Sequence, residues 1–354
     1  MRLLHTADLH LGRGGERSLD ALDALLAAAE REDVDALTVG GDCFDSAADA
    51  DDLRPQLRER FADNTFDVLA VPGNHDAEVF RGNVEFGPDF RALAAERVEV
   101  ATVGDGELVG VTDRERLGED LAFDLCERAS EDAVLCMHCT LDAGFGTGAT
   151  GDEAEPTHCP VQTETLGALG YEFVLAGHVH SELYQRKLPN GGLFIYPGSP
   201  VSHSWAELGR RHAVVVDTDD ANVQPVALDT CYRDRFSATV SPGDADDVIE
   251  RVEGWVDGQD AERSALEVRV DGLTELDEST VDERLHAAAG PATVVNETRG
   301  VAAVLDHPIY ADFVDRLDDL DLTEFDGVDD REAVEERLVE TLAELLSAGE
   351  VTPA

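Results

Sequence analysis

Five short stretches hold the residues whose chemistry depends most on placement: Asp8-Leu9-His10, Gly41-Asp42-Cys43-Phe44-Asp45, Gly73-Asn74-His75-Asp76, Met137-His138 and Gly177-His178-Val179-His180. Carboxylate, imidazole and amide oxygen all ligate metals. Imidazole mixed with oxygen donors suits Mn, Fe or Zn better than an all-oxygen magnesium site. Residues two apart on an extended chain face the same side, so Asp8 and His10 can address one ion together, as can His178 and His180. Two ions about 3.5–4 Å apart need a carboxylate between them, and Asp42 is the natural bridge. Each stretch alone says little: Asp-x-His is common, a lone His138 is more often a core histidine, and Asn74 reads as a turn residue. All five together, each after an apolar run, outweigh a chance scatter of polar loop residues.

Those runs read as strands, whose ends commonly carry α/β active sites. Apolar patterning predicts strands over 3–7, 36–40, 68–71, 98–103, 108–112, 134–138, 173–176, 183–186, 193–196, 213–217 and 223–228, with helices over 18–31 (Leu19, Leu22, Leu25 and Leu26 on one face) and 52–61. Helices alternating with strands early, then hairpin-like strands, predict an α/β sandwich with mixed sheets over 1–232. Residues 233–300 read as a small separate α/β unit, with helices over 244–256 and 279–289 and strands over 265–270 and 293–295. Residues 301–354 form an acidic helical segment carrying two stripes, Ile309/Phe313/Leu317/Leu320 and Val334/Leu338/Leu342/Leu345. Gly144–Gly151 reads as a mobile loop.

No apolar run approaches the roughly 20 residues of a membrane span, and the polar N-terminal stretch does not read as a signal peptide, so a cytoplasmic protein with no membrane partner is expected. Six cysteines among 354 residues are not a disulfide framework. Cys136-Met137-His138-Cys139 with His158-Cys159 offers a zinc reading, but the spacing fits no standard zinc pattern, and buried free thiols are the expectation.

The order of the five motifs resembles the calcineurin-like metallophosphoesterase superfamily over about residues 1–199. The resemblance implies a calcineurin-like four-layer αββα sandwich. One ion would be held by Asp8, His10, Asp42 and His180, and a second by Asp42, Asn74, His138 and His178. His75 would face the scissile phosphate, with Asp45 orienting it, and a hydroxide bridging the ions would attack. Asp76 is a turn residue or a supporting carboxylate, with the turn role favoured.

Within that superfamily, Thr6-Ala7-Asp8-Leu9-His10-Leu11-Gly12-Arg13 and Tyr196-Pro197-Gly198-Ser199-Pro200 resemble the DNA double-strand-break repair nucleases, the SbcD-type exonuclease subunits and their archaeal relatives. The unit from Phe236 resembles their capping domain. This implies a manganese-dependent 3′–5′ exonuclease and endonuclease, a homodimer, and a coiled-coil SMC-like ATPase partner for the C-terminal helices, which can equally pack on their own domain. Some members carry His where this chain has Asp45. Arg13, Arg17, Arg81, Arg210 and Arg211 lie near the motif loops, and Arg13, Arg81 and Arg210 are the leading candidates for DNA contacts. His5, His203, His212, His286 and His307 match no ligand position; His203 is nearest the Pro-Gly turn. A small-nucleotide phosphodiesterase or phosphatase, and a catalytically inactive scaffold, are the competing readings.

The charge opposes nucleic-acid binding in dilute buffer. There are 77 acids against 27 bases, a formal net charge of −50, and Lys187 is the single lysine. Acids spread along the whole chain fit a protein from a salt-adapted organism. Self-repulsion of this size destabilises a compact state, and at about 1 M salt the Debye length falls to roughly 3 Å and screens it. Circular dichroism should therefore show a folded chain in molar KCl and an unfolded one after dialysis into dilute buffer. A fold that survives dialysis excludes salt dependence.

Overall fold

The computed structural model describes residues 1–81, 85–142, 157–181, 183–305 and 307–318, with positions 334, 337–339, 341, 342 and 345. Gly144–Gly151 and Leu320 lie outside the described residues. The chain divides into two compact units, Met1–Arg233 and Asp234–Ala354.

The first unit runs β1 (Arg2–Thr6), α1 (Glu16–Arg31), β2 (Ala36–Val39), α2 (Ala47–Arg60), β3 (Asp67–Ala70), β4 (Phe90–Ala92), β5 (Val98–Val103) and β6 (Gly106–Val111). It continues with α3 (Glu119–Arg128), β7 (Ala133–His138), α4 (Thr163–Leu169), β8 (Phe173–Gly177), β9 (Tyr184–Lys187), β10 (Leu193–Tyr196), β11 (His212–Asp217) and β12 (Asn222–Ala227). One six-stranded sheet has the order β12-β11-β1-β2-β3-β4, the other β5-β6-β7-β8-β10-β9. The site-bearing strands are parallel neighbours: β1, β2 and β3 in the first sheet, β7 and β8 in the second.

Side chains alternate across each strand, and in the central strands β1, β2, β7 and β8 both faces are buried. Leu3, Ala36, Leu69, Val134, Cys136, Phe173, Leu175 and Ile195 share one layer between the sheets. Leu4, Leu37, Val68 and Ala70 face α1 and α2 on one outer side, and Leu135, Met137, Val174 and Phe194 face α3 and α4 on the other. The result is an α/β sandwich of four layers, helix, sheet, sheet, helix. Two-sided burial explains why these strands read as unbroken apolar runs.

The backbones of the two sheets come close where Gly40 faces Gly177. A Cβ on Gly177 would stand 2.3 Å from the Gly40 carbonyl oxygen, so only glycine fits. His5 ties the sheets together beside this point. Its Nδ1 lies 3.0 Å from Thr38 Oγ1 in the first sheet and its Nε2 3.1 Å from the Ala176 carbonyl in the second. The ring is fully buried, which draws its pKa down to about 4.

Several details depart from the sequence expectation. Helix α2 begins at Ala47, five residues ahead of the expected start, because Ser46 caps it by accepting from the Asp49 N–H (3.3 Å). The short edge strand β4 and helices α3 and α4 were not expected; α3 buries only Leu121 and Leu125, too sparse a stripe to read. Cys43, Cys136, Cys139 and Cys159 are free and buried as expected, but Cys126 is exposed and Cys231 half-buried. Among the described residues, no cysteine joins a group of candidate metal ligands. No described helix is long and apolar enough to cross a membrane.

In the second unit β13 (Tyr232–Val240) leads to α5 (Ala245–Asp257), β14 (Ser264–Thr274), α6 (Glu278–Ala289) and β15 (Thr293–Gly300), then α7 (Ala302–Leu305) and α8 (Pro308–Asp318). The sheet order is β13-β14-β15, with Val248, Val252, Val281 and Leu285 covering Val268 and Val270. In the expected C-terminal stripes, Leu317 is buried while Ile309 is exposed. Leu342 packs with Leu273 and Val304 of the same unit, and Leu338 lies against that cluster.

Because His5 is held neutral, the folded state binds fewer protons than the unfolded chain between about pH 4 and pH 6.5. Its contribution to stability is complete above the unfolded pKa and falls on acidification, by roughly 2 kcal/mol at pH 5. Urea unfolding in molar KCl at pH 7 and pH 5 should show a smaller acid loss in a His5→Gln variant than in the parent, by about that amount. Equal losses would place the acid sensitivity elsewhere.

Candidate metal centre

The motif residues converge where the parallel strands end. The loops after β1 and β2 run side by side: the N–H groups of Asp8, His10 and Leu11 donate to the carbonyls of Gly41 (3.0 Å), Asp42 (3.0 Å) and Cys43 (2.9 Å). Asp8, His10 and Asp42 sit there in left-handed backbone (φ 57°, 44° and 49°), as does His178 (φ 96°). Such conformations cost energy in non-glycine residues and persist when surrounding contacts over-determine them. Gly73 lets the β3 loop close on Asp42, whose Oδ1 would be 2.1 Å from a Cβ there.

Asp8, Asp42, His178 and His180 are fully buried, as are His10 and the His138 side chain. The Asp8 carboxylate accepts from the His178 N–H (3.0 Å to each oxygen) and lies 3.7 Å from His180 Nε2 and 3.9 Å from His138 Nδ1. Asp42 Oδ2 is 3.2 Å from His138 Nε2 and 4.0 Å from His10 Nε2. His138 Nε2 lies 3.0 Å from Asn74 Oδ1, and its Nδ1 is 2.9 Å from the Gly40 carbonyl. His10 and His180 bring their Nε2 atoms to 3.4 Å. Three groups of ligating atoms result: Asp8/His10/His180, Asp8/Asp42/His138 and His10/Asp45/His75.

Burial disfavours charge on Asp42, but His138 and its hydrogen bond reverse this and hold the carboxyl well below its ordinary range. Burial likewise opposes charge on His138, and the same carboxylate raises it to about 10. Burial, then the charge of His138, draws His178 down to about 3.

Divalent ions fit this donor set. Both ring nitrogens of His178 are buried without a hydrogen-bond partner, which is costly unless something else ligates them. Two imidazole Nε2 lone pairs aimed at a shared point, with carboxylates alongside, make a binding arrangement for a cation.

Two residues sit differently from the expectation. His75 Nδ1 meets the backbone carbonyl of Asp45 (3.1 Å), while the Asp45 carboxylate is 3.9 Å away. That carboxylate pairs instead with His10 Nδ1 (3.1 Å), so Asp45 orients His10 with its side chain and His75 with its main chain. Asp76 is more than a turn residue. It is fully buried, and its oxygens accept from Gly73 N–H (2.7 Å) and Phe44 N–H (3.2 Å), joining the β3 loop to the β2 loop.

The arginines separate. Arg13 Nη1 is 4.0 Å from Asp45 Oδ1, close to the cluster. Arg17 is exposed, and exposed Arg81 pairs with Glu78 (3.1 Å). Arg210 lies over the Tyr232 ring. Arg211, noted among the arginines near the motif loops, is buried and braces the cluster by donating to the carbonyls of His180 (2.5 Å) and Ser199 (2.9 Å).

Sequence reading missed Glu207. It is fully buried, 3.4 Å from His180 Nδ1, and accepts from Ser199 Oγ (2.9 Å) and the His203 N–H (2.8 Å). Burial works against its charge, and the His180 hydrogen bond prevails, taking it down to about 2. His203 packs its ring 5.3 Å from His10, and His158 packs 5.7 Å from His138 and 5.9 Å from His178, its Nε2 being 2.7 Å from Asp113 Oδ1. The one signal pointing here was the Pro-Gly turn: Ser199 at its end donates its N–H to the His180 carbonyl (3.1 Å).

The calcineurin-like phosphoesterase family matches residues 1–182, just over half of the chain. Among curated proteins, the D subunit of the SbcCD nuclease of Bacillus subtilis (strain 168) is 26% identical over 281 aligned residues, 64% of this chain and 70% of that protein. The uncharacterized metallophosphoesterase YhaO of the same organism is 23% identical over 252, covering 63% of this chain and 59% of its own length. A dimetal phosphatase from Danio rerio superposes with a TM-score of 0.40 at 12% identity, over 61% of this chain and 91% of its own.

A carboxylate behind a ligating imidazole fixes its tautomer and raises its basicity. Calorimetric titration with Mn²⁺ should show Glu207→Ala binding about 10–100-fold more weakly than the parent, with Glu207→Gln between them. Unchanged affinity in both would remove Glu207 from the metal centre.

Proposed function

This chain belongs to the calcineurin-like phosphoesterase family, and we propose that it is a metal-dependent DNA nuclease, cutting phosphodiesters as a 3′–5′ exonuclease and endonuclease in double-strand-break repair. The observation that carries this reading is the cluster in which two buried carboxylates, four imidazoles and one amide oxygen converge, in a chain similar to a nuclease subunit. Asp8, His10, Asp42 and His180 would hold one ion and Asp42, Asn74, His138 and His178 the other, with manganese the preferred metal. Asp42 Oδ2 lies within 4.0 Å of ring nitrogens from both sets, as a bridge requires. When bound, the ions supply a nucleophilic hydroxide near neutral pH and positive charge against the phosphoryl oxygens.

The protein's own groups do the rest. His75 donates through Nδ1 to the Asp45 carbonyl, which sets its tautomer and leaves Nε2 as the proton-exchanging atom for the leaving oxygen. The Asp42 carboxylate accepts the His75 N–H (2.9 Å), tying this acid to the metal site. Asp45 keeps His10 and His75 in register. Arg13 stands nearest to receive a phosphate; Arg81 and Arg210 are more distant contacts along the strand.

The unit from Asp234 onward would act as a cap over DNA, and the C-terminal helices would engage a coiled-coil ATPase of the SMC type in a homodimeric assembly. The acid excess supports a salt-adapted source, with the ATPase supplying DNA affinity that this surface cannot. A small-nucleotide phosphodiesterase uses the same centre and is the second reading. An inactive scaffold is disfavoured, because the donor set is whole.

The test is cleavage of end-labelled linear duplex DNA in molar KCl with Mn²⁺. The parent should degrade it, and His75→Ala should lose about 10²–10⁴-fold in rate while still binding metal. Hydrolysis of a chromogenic diester without DNA cleavage would favour the second reading.

A further inference from the structure

Beside the metal cluster lies a cavity of about 320 Å³. Its wall includes Arg210, Arg211, His212 and Ser181, with Leu183 and Leu208 supplying an apolar side. Among the described residues no carboxylate lines it, in a chain where acids outnumber Lys and Arg 77 to 27. Such a local reversal of charge marks a place for an anion.

The cavity is joined to the cluster through the backbone. Ser181 follows His180, and the Arg211 guanidinium holds the carbonyls of His180, Ser199 and Leu208 together at 2.5, 2.9 and 3.2 Å. The Arg210 guanidinium is steadied over the Tyr232 ring at 5.6 Å. Volume sets the size of the guest. Small-molecule sites begin at roughly 300 Å³, so one nucleotide fits and an oligomer does not.

Salt decides between a bare phosphate and a nucleotide. With a Debye length near 3 Å at about 1 M salt, charge alone gives a phosphate little affinity. Burial of a base on Leu183 and Leu208 is not screened by salt. We infer that this cavity binds a single nucleotide, phosphate toward Arg210, His212 and Ser181 and apolar face on Leu183 and Leu208, next to the metal centre. The inference rests on the phosphodiesterase reading for the identity of the guest. The nucleotide is either a unit of the bound strand or the released monophosphate.

The test is calorimetric titration of the full-length protein, loaded with Mn²⁺ in molar KCl, with dAMP, a phosphorothioate-linked thymidine tetranucleotide and inorganic phosphate. Arg210→Glu and Leu183→Trp serve as cavity variants whose Mn²⁺ binding is checked in parallel. At least one nucleotide ligand should bind, and both variants should weaken it by about tenfold or more. Binding of dAMP identifies a product site; binding of the tetranucleotide alone identifies a strand site. The inference is overturned if both variants, with Mn²⁺ binding intact, stay within about twofold of the parent, or if inorganic phosphate binds as tightly as either nucleotide. DNA cleavage by the parent separates the two claims. Cleavage with no cavity-dependent nucleotide binding sinks the cavity alone, whereas cavity-dependent binding without cleavage sinks the nuclease reading alone.

Discussion

The near contact of Gly40 with Gly177 is the constraint on which the rest depends. Stacked sheets ordinarily stand about 10 Å apart, with side chains filling the gap. Here the backbones come close just past the end of β2 and at the end of β8, and Asp42, two residues after Gly40, and His178, directly after Gly177, follow at once. Widening the gap by one methyl group would pull apart a set of ligating atoms spaced within 4.8 Å. His5 reinforces the contact from within the core, where its two ring nitrogens reach one sheet each.

Charge imposes the second constraint. A buried carboxylate without compensation is among the costliest groups a fold can contain, and Asp8 and Asp42 are both fully buried. Imidazoles surround them, and backbone N–H groups of His178 and His75 supply further compensation. The polar support extends outward in layers: Glu207 behind His180, Asp45 behind His10, and Arg211 clasping the chain that carries His180. This inward concentration of positive partners contrasts with a sequence dominated by acids. Most charged residues answer to solvent and salt, while a few arginines and histidines answer to the centre.

Much of this was legible in the sequence because the cues are local. Parallel strands buried on both faces produce apolar runs, and each run ends at a motif whose residues lie within a few positions of one another, as Asp8 and His10 do. The alternation of strands and helices after β12 was readable for the same reason. His203 stood out only by its place beside the Pro-Gly turn, and Glu207 and His158 were not legible. Their partners lie elsewhere in the chain, with no period or turn signature linking them, and only three-dimensional packing brings Glu207 to His180 or His158 to His178. The Asp45 carboxylate was expected to face His75, and the Asp45 carbonyl stands there instead, since sequence cannot tell whether a carboxylate or a carbonyl faces a given ring. Helices α3 and α4 escaped notice because each is short and buries few side chains.

The left-handed backbone at Asp8, His10 and Asp42 bears on how mutagenesis of the centre should be interpreted. Alanine at these positions removes a side chain and also forces an unfavourable backbone, at about 1–2 kcal/mol per residue. Loss of activity in such a variant therefore mixes a missing ligand with a distorted loop, and Asp8 and His10 share one such loop. Asparagine tolerates this conformation and matches aspartate in shape, so Asp8→Asn and Asp42→Asn isolate the charge. The common alanine scan would overstate these positions and rank them above Asn74 or His138 for reasons unrelated to chemistry.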